Sequence, residues 1–199
     1  MNAEFDDLFV VIGKDVKTNQ GTVQGLSAST NPEAAIGYTS GEVADANRSV
    51  VRTLAYQHTG QTCGYWPDSS ATAFDKSGVR EGLYYLWSPT HLYAYVDAQG
   101  KPIHPEVAQF IGWFNGSLAA PDGLDVLSLQ IAAGNIPKCA MHVWRDGDLA
   151  PLYSFQPDEP CGCYFEAKAT GATTCKACKT NSDCDASNPT CRYGYCEVK

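Results

Sequence analysis

Seven of the nine cysteines lie between Cys161 and Cys196, while the first 138 residues hold a single one, Cys63. A segment so short, rich in Gly, Thr and Asn, cannot hold a fold together by burial alone. Clustered cysteines in such a segment are the mark of disulfides, which persist outside the reducing cytosol. The chain accordingly reads as a body over residues 1–155 and a disulfide-rich tail over residues 156–199, joined at Gln156-Pro157-Asp158-Glu159-Pro160, a turn-rich linker.

The body is apolar enough to bury a core: hydrophobic residues make up 44% of the chain. The formal net charge is −8 with no cluster of Lys or Arg, which argues against a nucleic-acid partner. It does not argue against a small anion, because local backbone N–H groups bind anions whatever the overall charge. No apolar run approaches the roughly 20 residues of a membrane span, so no transmembrane segment is expected. The acidic opening, Met1 to Asp7, and the short run Leu8-Phe9-Val10-Val11-Ile12 do not make a signal-peptide core. A disulfide-rich tail needs export, so we expect a preceding N-terminal part.

Along the body, apolar runs alternate with helical patterns. Leu8–Ile12, Ala34–Tyr38, Val50–Tyr56, Leu83–Trp87 and His91–Val96 read as strands. Thr18 and Asn19 offer caps for a helix running to Ser29, with Val23 and Leu26 inward and Asn31-Pro32 as its stop. Pro105 opens the clearest helix, Val107, Phe110, Ile111 and Phe114 form one apolar stripe, and Gly116 closes it. A further helix spans Gly123 to Ala133. This alternation predicts an α/β domain. Tyr84, Tyr85, Tyr93 and Tyr95 are expected to pack on a sheet.

Several of these segments are similar, in order and spacing, to those of phosphate-binding proteins, the solute receptors of ABC importers. Asn31-Pro32-Glu33-Ala34-Ala35-Ile36-Gly37-Tyr38 resembles the family's Pro-Gly-Ala-Ile-Gly-Tyr strand entry, and Val50 to Ala55 the strand that follows it. Gly82 to Val96, with its Ser88-Pro89 and Leu92-Tyr93-Ala94-Tyr95-Val96, resembles Tyr-Pro-Leu-x-Arg-Pro-Leu-Tyr-Leu-Tyr-Val. Pro105-Glu106-Val107 to Phe114 resembles the Pro-Glu-Val helix, and Gly134-Asn135-Ile136-Pro137 the closing Gly-Tyr-Val-Pro. The resemblance covers about residues 5–140 and the C-terminal half of such a receptor. It implies a type 2 periplasmic-binding fold, incomplete in this chain, with an oxyanion held between two lobes. It also implies a missing N-terminal lobe and an ABC permease as partners. The family's Ser-Gly-Thr loop does not occur here, and Ser88 stands where the family has Arg. No ligand residue therefore carries over. Chemistry alone nominates the start of the first helix, Asn19, Gln20, Gly21 and Thr22, whose N–H groups are free to face an anion. An ordinary solvated cap is the plainer reading of the same residues.

In the tail, Cys161-x-Cys163 and Cys175-x2-Cys178-x5-Cys184-x6-Cys191-x4-Cys196 resemble the disulfide-knot repeats of secreted bacterial surface proteins. A zinc site usually shows a second Cys-x2-Cys or a His pair, and no His follows His142. We expect disulfides and no metal or cofactor. Cys63 and Cys139 are one pairing within the body, leaving seven tail cysteines with one unmatched; a bond to another chain is the other way to balance an odd number. Connectivity is not derivable from spacing. A Cys63 nucleophile beside His58 lacks a supporting motif, His58, His91, His104 and His142 are scattered, and no hydrolase, P-loop or dinucleotide signature occurs.

The expected function is non-enzymatic: an exported solute-binding protein for phosphate or a similar oxyanion, periplasmic or at the cell surface. The alternative is a secreted interaction protein that reuses the fold without transport, with the tail as an adhesive or tethering module. Thiol titration in denaturant without reductant should return one reactive thiol per chain, and eight or nine would overturn the disulfide reading.

Overall fold

The computed structural model describes residues 18–148 and 150–197. The expected strand Leu8–Ile12 lies outside them. The chain divides into two compact units, residues 1–55 and 56–199.

In the first unit, α1 (Asn19–Ser27) forms where the sequence placed it. The Thr18 side chain accepts from Gly21 N–H at 3.0 Å, an N-cap that satisfies one of the otherwise unpartnered first-turn donors. Val23 is buried and Leu26 half-buried, as the spacing predicted. The chain then makes a 3₁₀ turn over Pro32–Ala34, and α2 (Gly41–Ala46) follows. Ala34–Tyr38 is not a strand. It lies against α1 so closely that a Cβ on Gly37 would sit 2.6 Å from Thr22 Cγ2 and 3.0 Å from Leu26 Cδ1. Here the glycine serves close approach and not a sheet.

In the second unit, α3 (Ser77–Arg80), α4 (Pro105–Asn115), α5 (Val126–Ala132) and α6 (Gly162–Thr170) are joined by two small antiparallel sheets. β1 (Val143–Trp144) pairs with β2 (Tyr153–Ser154), and β3 (Thr190–Arg192) with β4 (Tyr195–Glu197) in the register Cys191 opposite Cys196. α4 has the predicted bounds: Pro105 needs no N–H partner at the first position, and Gly116 takes the left-handed φ of 77° that ends the helix. α5 starts three residues later than the pattern suggested because Asp125 caps it, accepting from Ser128 N–H at 2.9 Å.

The strand expectations for Val50–Tyr56, Leu83–Trp87 and His91–Val96 are corrected. Among the described residues these runs form no ladder. Tyr56 makes one antiparallel bridge to Tyr65, and Val96 one to Pro102 around the Asp97–Gly100 turn. A strand needs a neighbour along its length for its N–H and C=O groups, and among the described residues these runs meet one only at an end. The four tyrosines divide accordingly. Tyr85 stacks on His58 with centroids 4.1 Å apart, and Tyr84 meets the edge of Tyr56. Tyr93 and Tyr95 are 90% and 84% exposed. The α4 stripe is likewise only partly covered: Ile111 and Phe114 are half-buried, Val107 and Phe110 exposed.

The tail does not begin at a gap in packing. Cys161 bonds Cys139, and Cys161 N–H donates to the Cys139 carbonyl at 2.9 Å. Ile131, Ala140, Cys161, Tyr164 and Phe165 make one buried cluster. α6 thus packs on α5 and on the 3₁₀ turn Lys138–Ala140. The Tyr164 hydroxyl donates to Asp125 Oδ2 at 2.6 Å, tying α6 to the cap of α5. That bond holds the Asp125 carboxyl below its usual range, while burial and then Asp125 push Tyr164 up to about 12.

The double variant Cys139→Ser/Cys161→Ser removes the cross-link between the body and α6. Urea unfolding should show it less stable by about 3 kcal/mol; a loss under about 1 kcal/mol would mean that packing alone holds α6.

Candidate functional site

The nominated anion site is the first turn of α1. Asn19 and Gln20 are exposed, Gly21 and Thr22 half-buried. Much of its donor capacity is already taken: Gly21 N–H goes to Thr18 Oγ1, Thr22 N–H to Thr18 O at 3.1 Å, and Asn19 Nδ2 to Ser40 Oγ at 2.8 Å. What is left are the N–H groups at the very tip, facing solvent.

The sulfur chemistry is clearer. Four disulfides form: Cys139–Cys161, Cys163–Cys175, Cys178–Cys191 and Cys184–Cys196. The pairing of Cys63 with Cys139 is corrected. Cys139 reaches forward to the first tail cysteine, all seven tail cysteines are matched, and Cys63 is the free, exposed one. The sulfurs of Cys178, Cys184 and Cys196 lie within 4.8 Å of one another because two disulfides sit side by side. All three are bonded, and it is the free thiolate that ligates a metal.

Cys63 and His58 do not form a nucleophile–base pair. His58 stacks on Tyr85 and has its Nδ1 3.4 Å from the Tyr56 hydroxyl. Cys63 faces Tyr65, whose phenol its hydrogen bond pushes up. His91 meets Asp148 at 3.1 Å, His142 meets Glu81 at 2.7 Å, and His104 precedes α4. The four histidines serve four separate places.

Three features escaped the sequence. The first is an open cavity of about 390 Å³ between α4 and α5, lined by Phe110, Trp113, Phe114, Leu124, Val126 and Leu129. Gln130 lies at its edge with its Nε2 committed to Phe114 O at 2.8 Å. The second is a cation–aromatic stack. Lys138 Nζ lies 4.6 Å from the Trp144 ring and 5.0 Å from Phe155, and Arg145 Cζ lies 4.5 Å from Trp87. Arg145 is 1% exposed, and burial pulls its guanidinium below the ordinary value. In sequence, Trp144-Arg145-Asp146-Gly147-Asp148 looks like a solvated turn, so nothing marks Arg145 as interior.

The third is the charge under the tail. Glu197 is buried and accepts Cys163 N–H at 3.0 Å and Tyr164 N–H at 3.1 Å, acting as an internal anion at the start of α6. Buried Arg80 donates to Ala140 O at 2.8 Å and to Glu166 at 3.2 Å, and lies over the Phe165 ring. Burial raises the Glu197 carboxyl above its ordinary value, against the pull of the two N–H groups and Arg80.

Comparison with protein-family models, with curated proteins and with solved structures finds no match. Two general properties do stand. The protein is cysteine-rich and disulfide-bonded, which fits an oxidising compartment. Among the described residues no helix is long and apolar enough to cross a membrane.

A carboxyl raised on folding adds stability that is complete below its unfolded pKa and fades as pH climbs through the folded one. Thermal melts across pH should therefore show wild type gaining on Glu197→Gln as pH falls through the range above the ordinary Glu value of 4.5. A constant offset would show that Glu197 carries no such term.

Proposed function

We propose that this chain is the C-terminal portion of an exported solute-binding protein for phosphate or a similar oxyanion, serving an ABC importer from the periplasm or the cell surface. Its fold is then a type 2 periplasmic-binding lobe completed by a preceding N-terminal lobe. The observation that carries this reading is where pairing fails. Val50–Tyr56 and Leu83–Val96, the segments that resemble the family's strands, have the apolar, β-branched and aromatic composition of sheet yet no ladder. Leu83, Leu86, Leu92, Tyr93, Tyr95 and Val96 are exposed on the second of them. A sheet completed by further strands would cover these groups. A helix, α4, forms over Pro105–Asn115, the segment that resembles the family's Pro-Glu-Val helix, and the disulfides agree with export.

A second reading has its own support. The α4–α5 cavity, and separately the exposed Tyr93 and Tyr95, offer apolar groups to a protein partner. On that reading the chain is a secreted interaction protein, with the stapled tail as a tether.

Thermal melting of the protein at its full native length separates the two. A ligand that binds only the folded state stabilises it by about 2.7 kcal/mol at a hundredfold excess over Kd. Phosphate in that excess should raise Tm by about 5 °C or more. No change with millimolar phosphate or sulfate would favour the interaction reading.

A further inference from the structure

Two disulfides of the tail, Cys178–Cys191 and Cys184–Cys196, lie side by side, with the sulfurs of Cys178, Cys184 and Cys196 within 4.8 Å of one another. Cys191 is bonded to Cys178, so four sulfurs share one place. Among the described residues this is the one place where three or more potential metal ligands converge. A tetrahedral zinc ion with Zn–S bonds of about 2.3 Å holds its sulfurs about 3.8 Å apart. Once the two S–S bonds are broken, shifts of about 2 Å or less bring the four sulfurs to that spacing.

The backbone keeps these cysteines together without help from sulfur. Cys191 and Cys196 are register partners in the β3–β4 hairpin. Cys196 N–H donates to the Lys176 carbonyl and Cys178 N–H to the Gly194 carbonyl, both at 2.9 Å, and Ala177 bridges Tyr195, so segment 176–178 runs along β4. Cys191 N–H donates to Asn181 Oδ1 at 2.8 Å, and the 3₁₀ turn Asn181–Asp183, closed by a capping box from Thr180, ends at Cys184. Cys178, Cys184 and Cys191 are half-buried, which leaves an ion a way in. The sequence hides the set. Its one Cys-x2-Cys is Cys175-x2-Cys178, but Cys175 is drawn off to Cys163 of α6.

We propose that Cys178, Cys184, Cys191 and Cys196 form a redox-gated site for one thiophilic divalent metal ion, zinc by chemistry. With both disulfides formed the site is closed. A dithiol reductant opens it: each S–S bond takes up two electrons and two protons, and each reducing dithiol leaves as its own disulfide. The four thiols then release four protons to solvent as they ligate the ion. Oxidation re-forms both bonds and expels the metal. The newly made chain faces the same choice, because it carries thiols before it carries disulfides. None of this depends on the oxyanion reading.

The test uses the full chain, reduced with excess phosphine, freed of reductant without air and titrated with Co²⁺ as a coloured stand-in for Zn²⁺. It should bind one Co²⁺ with the d–d and thiolate charge-transfer bands of a tetrahedral tetrathiolate, and Zn²⁺ should displace it. The unreduced chain should show neither band. Cys184→Ser and Cys191→Ser should each lower the affinity about tenfold or more, while Cys163→Ser/Cys175→Ser should leave the spectrum unchanged. A further readout needs no variant. In the Zn²⁺-loaded reduced chain, alkylation and peptide mapping should find Cys178, Cys184, Cys191 and Cys196 protected and Cys63 and Cys175 modified. Octahedral Co²⁺, a spectrum that survives Cys184→Ser or is lost in Cys163→Ser/Cys175→Ser, or protection spread evenly over the cysteines overturns the site. Equal tetrahedral bands in the unreduced chain overturn the gate.

Discussion

The bond from Cys139 to Cys161 joins the 3₁₀ turn Lys138–Ala140 of the body to the start of α6 in the tail, and the second unit is organised around it. It sets α6 against Ile131 and Ala140, so that Tyr164 and Phe165 enter the same buried cluster. With α6 held there, its open N-terminal N–H groups have to be answered, and Glu197 of β4 answers them. The tail hairpin is thus anchored twice, by sulfur at Cys178–Cys191 and Cys184–Cys196 and by a buried carboxylate. Arg80 completes the contact from the body side, stacked on Phe165 and bonded to Ala140 and Glu166. A module too small for its own core borrows one from its neighbour.

The rest of the second unit has the opposite character. Its apolar groups are plentiful and incompletely covered. The stripe on α4, the open cavity against α5 and the run Leu83–Val96 present side chains that a finished sheet or a partner would bury. Arg145, just after β1, lies over the Trp87 ring.

Much of the local structure was legible. Pro105, the apolar spacing of α4 and Gly116 act within a few residues of one another, so the helix bounds follow from the sequence alone. Thr18 and the Val23/Leu26 face of α1 were readable for the same reason. The strands were not, since a run such as His91–Val96 records a preference for sheet and says nothing about whether a neighbour exists. At the start of α1 the sequence implied free donors, as any helix start does, and the structure shows part of that set engaged: Thr18 takes the Gly21 N–H and Ser40 the Asn19 side-chain amide.

Composition and cysteine placement by themselves determined that this chain carries a disulfide-bonded tail with an odd thiol left over, because those facts depend on counting and on redox chemistry. Which thiol is left over, and that the tail shares the body's core, only the tertiary structure decided. Disulfide pairing requires sulfurs brought within bonding distance, and distance in space is fixed by packing. The same holds for Arg145. Its place in the sequence looks like solvent, and only the fold buries it and lays Trp87 against it.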